Sequence, residues 1–488
     1  MTQVRTRMAP SPTGEYHIGH IRTVLYNYAF SKKDDGSFII RIEDTDQERL
    51  VDGSVDRILD VISDFGLDWD EGPRKGGQYE PYIQSERLDI YRDHAKKLID
   101  VGAAYYCFCT KDDLDQMRKE QQAKGAPKTM YDGRCRNLPA EEVARLLNEE
   151  KPYVIRLKVP KNETIEFDDL VYGHLSFNSS EIDDTILLKS DGYPTYHLAV
   201  VVDDHLMNIT HIMRGNDWLP STPKHILLYK AFSWQPPKFV HLPNLKEQGA
   251  DKKLSKRFGS VFAIDFLKEG YLVDALLNFL MFLGWNPGGE KEIYNLEEFV
   301  KEFDVSRIHK TDLVSFDREK LLWLNGHYIR NKPLPELCKL IRDWAKKFGV
   351  ELHRGNQGSD YHLSVLDMVR ERMKKLSEYP RLTYYFYNDP EVDDNLLYKY
   401  AKEEARAKHI IEELINLLED IPSKEWNHDD LEKITHSFLE KSEFKTKEFF
   451  MTLRVAVTGE SATPPILDVM ILLGKSTVVK RLKTAQKI

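Results

Sequence analysis

The stretch Arg7-Met8-Ala9-Pro10-Ser11-Pro12-Thr13-Gly14-Glu15-Tyr16-His17-Ile18-Gly19-His20 carries the densest chemistry in the chain. Two histidines one helical turn apart can both donate to the same anionic group. Gly19 between them lets a ligand approach the backbone. Far downstream, Lys253-Leu254-Ser255-Lys256-Arg257 gathers three cations in a short run. Imidazoles and ammonium groups aimed at one place suit phosphoryl chemistry, where charge builds on phosphate oxygens. Each motif alone has a plainer reading. Histidines at such a spacing cap or pack a first helical turn, and a short basic run is a solvated face.

The elements around the first motif are those of a ligand site. Residues 4–9 read as a short buried strand. Pro10, Pro12 and Gly14 break it into a tight loop. Residues 17–31 read as a helix, with Ile18, Ile21, Val24, Leu25, Tyr28 and Ala29 close to helical spacing. A loop between a strand's carboxyl end and a helix's amino end is where open α/β sheets bind ligands. Its backbone N–H groups and helix dipole favour anions.

Further along, residues 37–42 read as a buried strand. Residues 56–65 read as a helix, with Ile58, Val61, Ile62 and Phe65 on one face. A second helix spans 85–98, opened by the cap-like Ser85-Glu86-Arg87. A polar helix is expected over 112–122, and β-like runs over 153–159, 165–168 and 185–188. The unbroken apolar run 198–202 has the pattern of a buried parallel strand. A helix is expected at 275–283. From about 333 the pattern turns helical: 335–347, 361–376, 396–418, 429–440, 446–457 and 466–487, with breaks at Pro380, Pro422 and Pro464-Pro465.

At 488 residues the chain is too long for a single core, so several domains are expected. The formal net charge of −9 argues against crude electrostatic capture of nucleic acid. The charge is uneven, however. Residues 326–488 carry 27 Lys+Arg against 26 Asp+Glu, so that part can present local basic faces. No apolar run approaches the length of a membrane span. The opening Met-Thr-Gln-Val-Arg-Thr-Arg has no hydrophobic signal region, so a cytoplasmic location is expected. Four cysteines are too few for a disulfide framework; Cys107, Cys109 and Cys135 cluster, and Cys338 stands apart. Gly474-Lys475-Ser476 looks like the end of a P-loop, but the upstream glycine that motif needs is Val469.

The His-Ile-Gly-His and Lys-Leu-Ser-Lys-Arg pair resembles the signature of the class I aminoacyl-tRNA synthetases. Arg7-x-Ala9-Pro10-Ser11-Pro12-Thr13-Gly14, Arg41-Ile42-Glu43-Asp44-Thr45-Asp46 and Asp191-Gly192-Tyr193-Pro194-Thr195-Tyr196-His197 resemble the bacterial glutamyl branch of that family, across essentially the whole chain. The resemblance implies an α/β fold: a Rossmann-type parallel-sheet catalytic domain in two halves, 1–82 and 195–246, around an inserted α+β acceptor-binding domain, 83–194. A stem-contact region, 247–332, and an all-helical anticodon-binding region, 333–382 and 383–488, would follow.

It also implies an activity: glutamate and ATP give glutamyl-adenylate, and the glutamyl group passes to the terminal adenosine of tRNA(Glu), with tRNA(Gln) left open. His17, His20 and Lys256 would be catalytic. Pro10, Gly19, Lys253, Ser255 and Arg257 would join them in holding ATP, which brings Mg²⁺. Arg7, Ala9, Ser11, Glu43, Tyr196 and Arg214 would bind glutamate; arginine forks suit its carboxylates. Glu43 suits the ammonium, or alternatively pairs with Arg41. Val200 stands where some relatives carry asparagine, so one polar contact is missing. Cys107, Cys109, Tyr131 and Cys135 would hold a structural Zn²⁺, packed free thiols being the alternative. Arg370 and Arg372 would face the anticodon, or else be exposed helix charges. The implied protein is a monomer with no membrane partner. A glutaminyl-tRNA synthetase and a non-catalytic tRNA-binding paralogue are the rival readings.

Overall fold

The computed structural model describes residues 3–126, 128–249, 254, 259–353 and 359–488. The chain divides into two units, one of Met1–Phe266 with Leu276–Arg318 and one of Leu267–Ala275 with Glu319–Ile488.

The first unit is built on short parallel strands. Arg5–Met8 pairs in parallel with Ser37–Ile40, Arg7 opposite Ile39. His211–Gly215 begins beside the first strand, where the Thr210 amide donates to the Arg5 carbonyl at 3.0 Å. Lys238–Leu242 pairs in parallel with His211–Gly215, which sets Arg214 opposite His241. Thr164–Asp169 joins Lys238–Leu242 at Asp169 and Phe239, and turns back antiparallel into Gly173–Asn178. This sheet therefore joins strands from both sides of residue 194. Ala104–Cys107, Val154–Leu157 and Ile186–Leu188 form a separate antiparallel sheet. Phe38, Ile39, Ile40, Met213 and Val240 are fully buried, as strands covered on both faces require.

The helix Ile18–Lys32 starts at His17, whose extended backbone ends the preceding loop. Ile18, Ile21, Val24 and Leu25 are fully buried. Residues 198–202 are not a strand: they lie in the helix Tyr196–Leu206. Leu198 to Val202 are all buried, and a helix enclosed on every side has no polar stripe to reveal its period. Ser85 caps nothing; the helix Leu88–Asp100 starts from Arg87, and the Ser85 amide and hydroxyl both donate to Asp44.

In the second unit the helices follow the expected order, with four changes. The stretch read as 361–376 is a helix only over Asp360–Arg370, so Arg372 falls past its end. The stretch read as 396–418 is two helices, Asp394–Ala401 and Glu404–Glu419, parted at Lys402 in a left-handed conformation. The stretch read as 466–487 is Ile466–Leu473 and Lys475–Ala485, parted at Gly474 with φ 80° and ψ 150°. Pro380 does not separate helices; it lies in the first turn of Tyr379–Tyr387, where its missing N–H costs no hydrogen bond. Among the described residues no helix is long and apolar enough to cross a membrane.

Candidate active site

At the carboxyl ends of the parallel strands, buried arginines and acids interlock. Arg7 places Nε and Nη2 on the two oxygens of Asp204, at 3.0 and 3.2 Å. Arg41 donates to Asp204 at 2.8 Å and to Glu43 at 2.9 Å. Asp203 accepts from Arg87 at 2.8 Å, Gln84 at 2.9 Å and the Tyr91 hydroxyl at 2.7 Å. All these charged groups are buried, so the pairing is obligatory: an unpartnered charge in such a place costs several kcal/mol. Burial pushes the Glu43 carboxyl up, against the pull of Arg41 and Arg7. Glu43 thus pairs with Arg41 through Oε1, a contact that one of the two sequence readings expected.

Arg214 is different. It is only 6% exposed, yet its partners are neutral. Nε donates to His241 Nε2 at 3.2 Å, Nη1 to the Tyr196 hydroxyl at 2.7 Å and Nη2 to Thr222 Oγ1 at 2.9 Å. Nη2 also lies 3.4 Å from His225 Nδ1, and His225 Nε2 lies 3.1 Å from His197 Nδ1. Burial and the Arg214 charge hold His225 well below the usual histidine range, and burial carries His197 down to about 3. Both stay uncharged beside the guanidinium. Among the described residues, no carboxylate forms an ion pair with Arg214. The Tyr196 hydroxyl also feels the charges of Glu43, Arg7 and Asp204, so these groups lie near it. A buried guanidinium with an N–H to spare, beside a phenol O–H, can bind a carboxylate.

The His17-Ile18-Gly19-His20 loop follows the strand that carries Arg7. His17 does cap the helix, its Nδ1 accepting from the Gly19 amide at 2.9 Å. Its ring is carried down to about 4 by burial and by His20, while the Leu254 backbone opposes that shift. The His20 side chain is exposed. Lys253, Ser255, Lys256 and Arg257 lie outside the described residues. Their neighbours are tied to the loop, however: the Leu254 amide donates to Leu245 at 2.9 Å, the Ile18 amide to Val261 at 2.8 Å and the Ala263 amide to Tyr16 at 2.8 Å. Leu254 and residues 261–263 are therefore placed beside the His-Ile-Gly-His helix start. Pro10 and Ser11 shape that loop, Pro10 O accepting from the Glu43 amide at 3.0 Å and Ser11 O from Thr13 at 2.9 Å. Ala9 sits half-buried where the first strand ends, and Val200 is buried in the Tyr196–Leu206 helix.

The three clustered cysteines meet at one point, their sulfurs all within 4.8 Å of one another. Tyr131 closes the group: its hydroxyl lies 3.3 Å from Cys107 Sγ and 3.4 Å from Cys109 Sγ, and Cys109 and Cys135 sulfurs are 3.5 Å apart. Zinc with three sulfurs and one oxygen at tetrahedral angles separates its ligands by about 3.5–3.8 Å. The four residues fit that donor set. Hydrogen bonds with Cys135 and Tyr131 lower the Cys107 thiol, while Cys135 and Cys109 are raised, so the three sulfurs share their protons as a group. A cavity of about 530 Å³ runs from Tyr196 and His197 to Tyr131, with Arg118, Arg156 and Asp183 on its walls.

Arg370 and Arg372 lie in the second unit. Arg370 ends the helix Asp360–Arg370 with its Nε on Asp367 at 2.9 Å. Arg372 is beyond the helix, exposed, and close enough to Arg454 and Tyr385 to shift both. The sequence reading missed Asp169, Asp204, His225 and His241. Asp203-Asp204 directly after an apolar run was the available signal, since acids there must be paired.

A parallel-sheet nucleotide fold with a His-Ile-Gly-His helix start, followed by a helical region, defines a class I aminoacyl-tRNA synthetase. The tRNA synthetases class I (E and Q), catalytic domain, match residues 3–323, and the anticodon binding domain matches residues 336–486. The glutamate–tRNA ligase of Clostridioides difficile is 42% identical over 98% of both chains, and that of Prosthecochloris aestuarii is 41% identical over 99% of this chain and 97% of its own. A crystal structure of a glutamate tRNA ligase from Elizabethkingia meningosepticum in complex with its amino acid superposes with a TM-score of 0.87, at 35% identity over 99% of both chains. The chain belongs to the glutamate–tRNA ligase family.

Proposed function

We propose that this chain joins L-glutamate to tRNA(Glu) at the expense of ATP. The observation that carries the reading is Arg214: a buried guanidinium whose described partners are all neutral, with its free N–H beside the Tyr196 hydroxyl. A substrate carboxylate accepts from both donors, whereas the NH₂ of an amide meets N–H with N–H. Arg7 keeps Nη1 clear of its Asp204 pair and adds positive charge nearby, and Glu43 offers negative charge to the substrate ammonium. In the first step a glutamate α-carboxylate oxygen bonds to the α-phosphorus of ATP, and the bond to pyrophosphate breaks. His17 and His20, neutral and at a helix start, donate to phosphate oxygens as charge builds there. Lys256, with Lys253, Ser255 and Arg257, takes the pyrophosphate side. Mg²⁺ comes with ATP, held chiefly by its phosphates. In the second step a ribose hydroxyl of the terminal adenosine attacks the glutamyl carbonyl. AMP leaves, and the adenylate phosphate accepts the hydroxyl proton.

Residues 83–194 hold the acceptor end in this reading, with Cys107, Cys109, Tyr131 and Cys135 gripping a Zn²⁺ that braces the domain. The helices beyond 333 take the anticodon, and Arg372 is better placed than Arg370 to do so, since Asp367 already engages Arg370. Glutamate-dependent, tRNA-dependent pyrophosphate exchange tests the reading. Removing the Arg214 guanidinium strands a substrate carboxylate, at a cost of about 3–5 kcal/mol, or at least about a hundredfold. Arg214→Ala is thus expected to raise the glutamate KM by that factor while the protein stays folded by circular dichroism. A change of less than a few-fold would remove Arg214 from the glutamate pocket.

A further inference from the structure

Arg7 and Arg214 both lie near the Tyr196 hydroxyl, but only Arg7 rests on a carboxylate. A carboxylate is nevertheless close to Arg214. Asp169 ends the strand Thr164–Asp169 and is completely enclosed, as is the His241 ring against it. The His241 ring stands between Asp169 and the guanidinium. We propose that Asp169 and His241 are positioning residues for glutamate: Asp169 fixes the proton of the His241 ring on Nδ1, and the imidazole spaces that carboxylate from Arg214 so that the substrate's carboxylate takes its place. The inference rests on Arg214 being the residue that binds the substrate carboxylate.

The hydrogen bonds leave one arrangement. Asp169 Oδ1 accepts from the Val171 and Tyr172 amides, both at 2.9 Å. Oδ2 accepts from the His241 amide at 3.2 Å and faces His241 Nδ1 at 2.7 Å. A carboxylate only accepts, so Nδ1 carries the hydrogen. Nε2 then presents a lone pair, to which Arg214 Nε donates at 3.2 Å. The other tautomer would set N–H against N–H. Strand register makes this reproducible, because Arg214 and His241 are direct partners on adjacent strands. Burial holds His241 below the usual histidine range, against the pull of Asp169, so the ring is a neutral spacer. Without it, Asp169 could pair with Arg214 as Asp204 pairs with Arg7, and the substrate would have to compete.

The test is the glutamate KM in tRNA-dependent pyrophosphate exchange, measured beside the ATP and tRNA KM values. Asp169→Asn has the same shape but places an NH₂ where a pure acceptor stood, which opposes the Nδ1 proton. Two opposed donors at a buried contact unsettle the imidazole that Arg214 leans on, so the glutamate KM is expected to rise about tenfold, equivalent to about 1.4 kcal/mol. The ATP and tRNA KM values should stay within about twofold, a split that general loosening of the fold would not give. His241→Leu should act like Asp169→Asn. His241→Gln, whose amide can donate to Asp169 and accept from Arg214, should recover most of the loss. Histidine ¹⁵N shifts add a readout apart from activity: the His241 proton sits on Nδ1 in the parent and moves in Asp169→Asn. An unchanged glutamate KM in both Asp169→Asn and His241→Leu overturns the proposal, as does equal damage from His241→Leu and His241→Gln. If Asp169→Asn does not fold, the two His241 variants decide alone. A parent enzyme with no glutamate-dependent exchange would instead bring down the Arg214 assignment itself.

Discussion

Half-buried imidazoles carry a pH signature. His197 is carried down to about 3, and His17 and His211 to about 4, in each case chiefly by burial. In the unfolded chain a histidine titrates near about 6.5. Between those values the unfolded state binds a proton that the folded state refuses. Stability is therefore level above about pH 6.5 and falls as the pH drops toward about 4, by up to about 1.4 kcal/mol per pH unit for each such histidine. The urea midpoint is expected to drop over that window, where ordinary carboxylates are still largely ionised. His197→Asn should flatten the slope; an unchanged slope would count His197 out. At this scale the sequence was legible where motif residues touch, as Tyr196 touches Arg214 and Glu43 touches Arg41. It was silent where contact depends on register. Asp169 and His241 lie 72 positions apart, and only the pairing of three strands brings them to Arg214.

Among the elements, the strand Ala104–Cys107, the turn into the helix Lys111–Ala123 and the loop 131–135 converge on the thiol cluster. That loop is also held by the Tyr131 amide on Asp183 at 2.9 Å, by Arg136 on Asp184 at 2.7 Å and on Val159 O at 2.6 Å, and by the Arg156 guanidinium over the Tyr131 ring at 4.0 Å. Protein purified without chelator is expected to carry one zinc per chain, lost in Cys135→Ser, with a lower melting temperature for the metal-free form. Elemental analysis that finds no metal would favour the packed-thiol alternative. Helix starts and apolar faces were legible in the sequence because they are local. The interruptions at Lys402 and Gly474 were not, because nothing in a helical period announces where two helices part. Gly474 adopts a backbone that side chains disfavour, and Lys475 donates to the carbonyls of Glu419 and Ile421, both at 2.6 Å. The Gly-Lys-Ser run thus closes another helix's end and cradles no phosphate.

Across the whole molecule, the second unit is discontinuous. Residues 267–275 contribute Leu272 and Ala275 to its core. The segment is stitched in by backbone groups: the Leu376 amide donates to Gly270 O at 2.9 Å, and Trp344 Nε1 to Leu267 O at 3.1 Å. Asn325 is fully buried and holds both sides, accepting from the Leu272 amide at 2.8 Å and donating to Lys374 O at 2.5 Å. Asn325→Ala strands one donor and one acceptor, each worth about 1–3 kcal/mol. We expect a loss of about 2–4 kcal/mol in urea unfolding followed by second-unit fluorescence, and a loss under about 1 kcal/mol would show that water replaces the amide. A boundary near 333 is where the residue pattern turns helical, and that pattern cannot register a nine-residue excursion made earlier in the chain.

That excursion also bears on how such proteins can be recombined. The polypeptide passes between the units at three points, near residues 266, 275 and 318. A helical region exchanged at a single junction near 333 arrives without the segment that completes its core, and meets a foreign 267–275 in its place. Inheritance of the two units as interchangeable modules would therefore require paired crossovers, or compensating changes in nine residues lying inside what reads as the other domain.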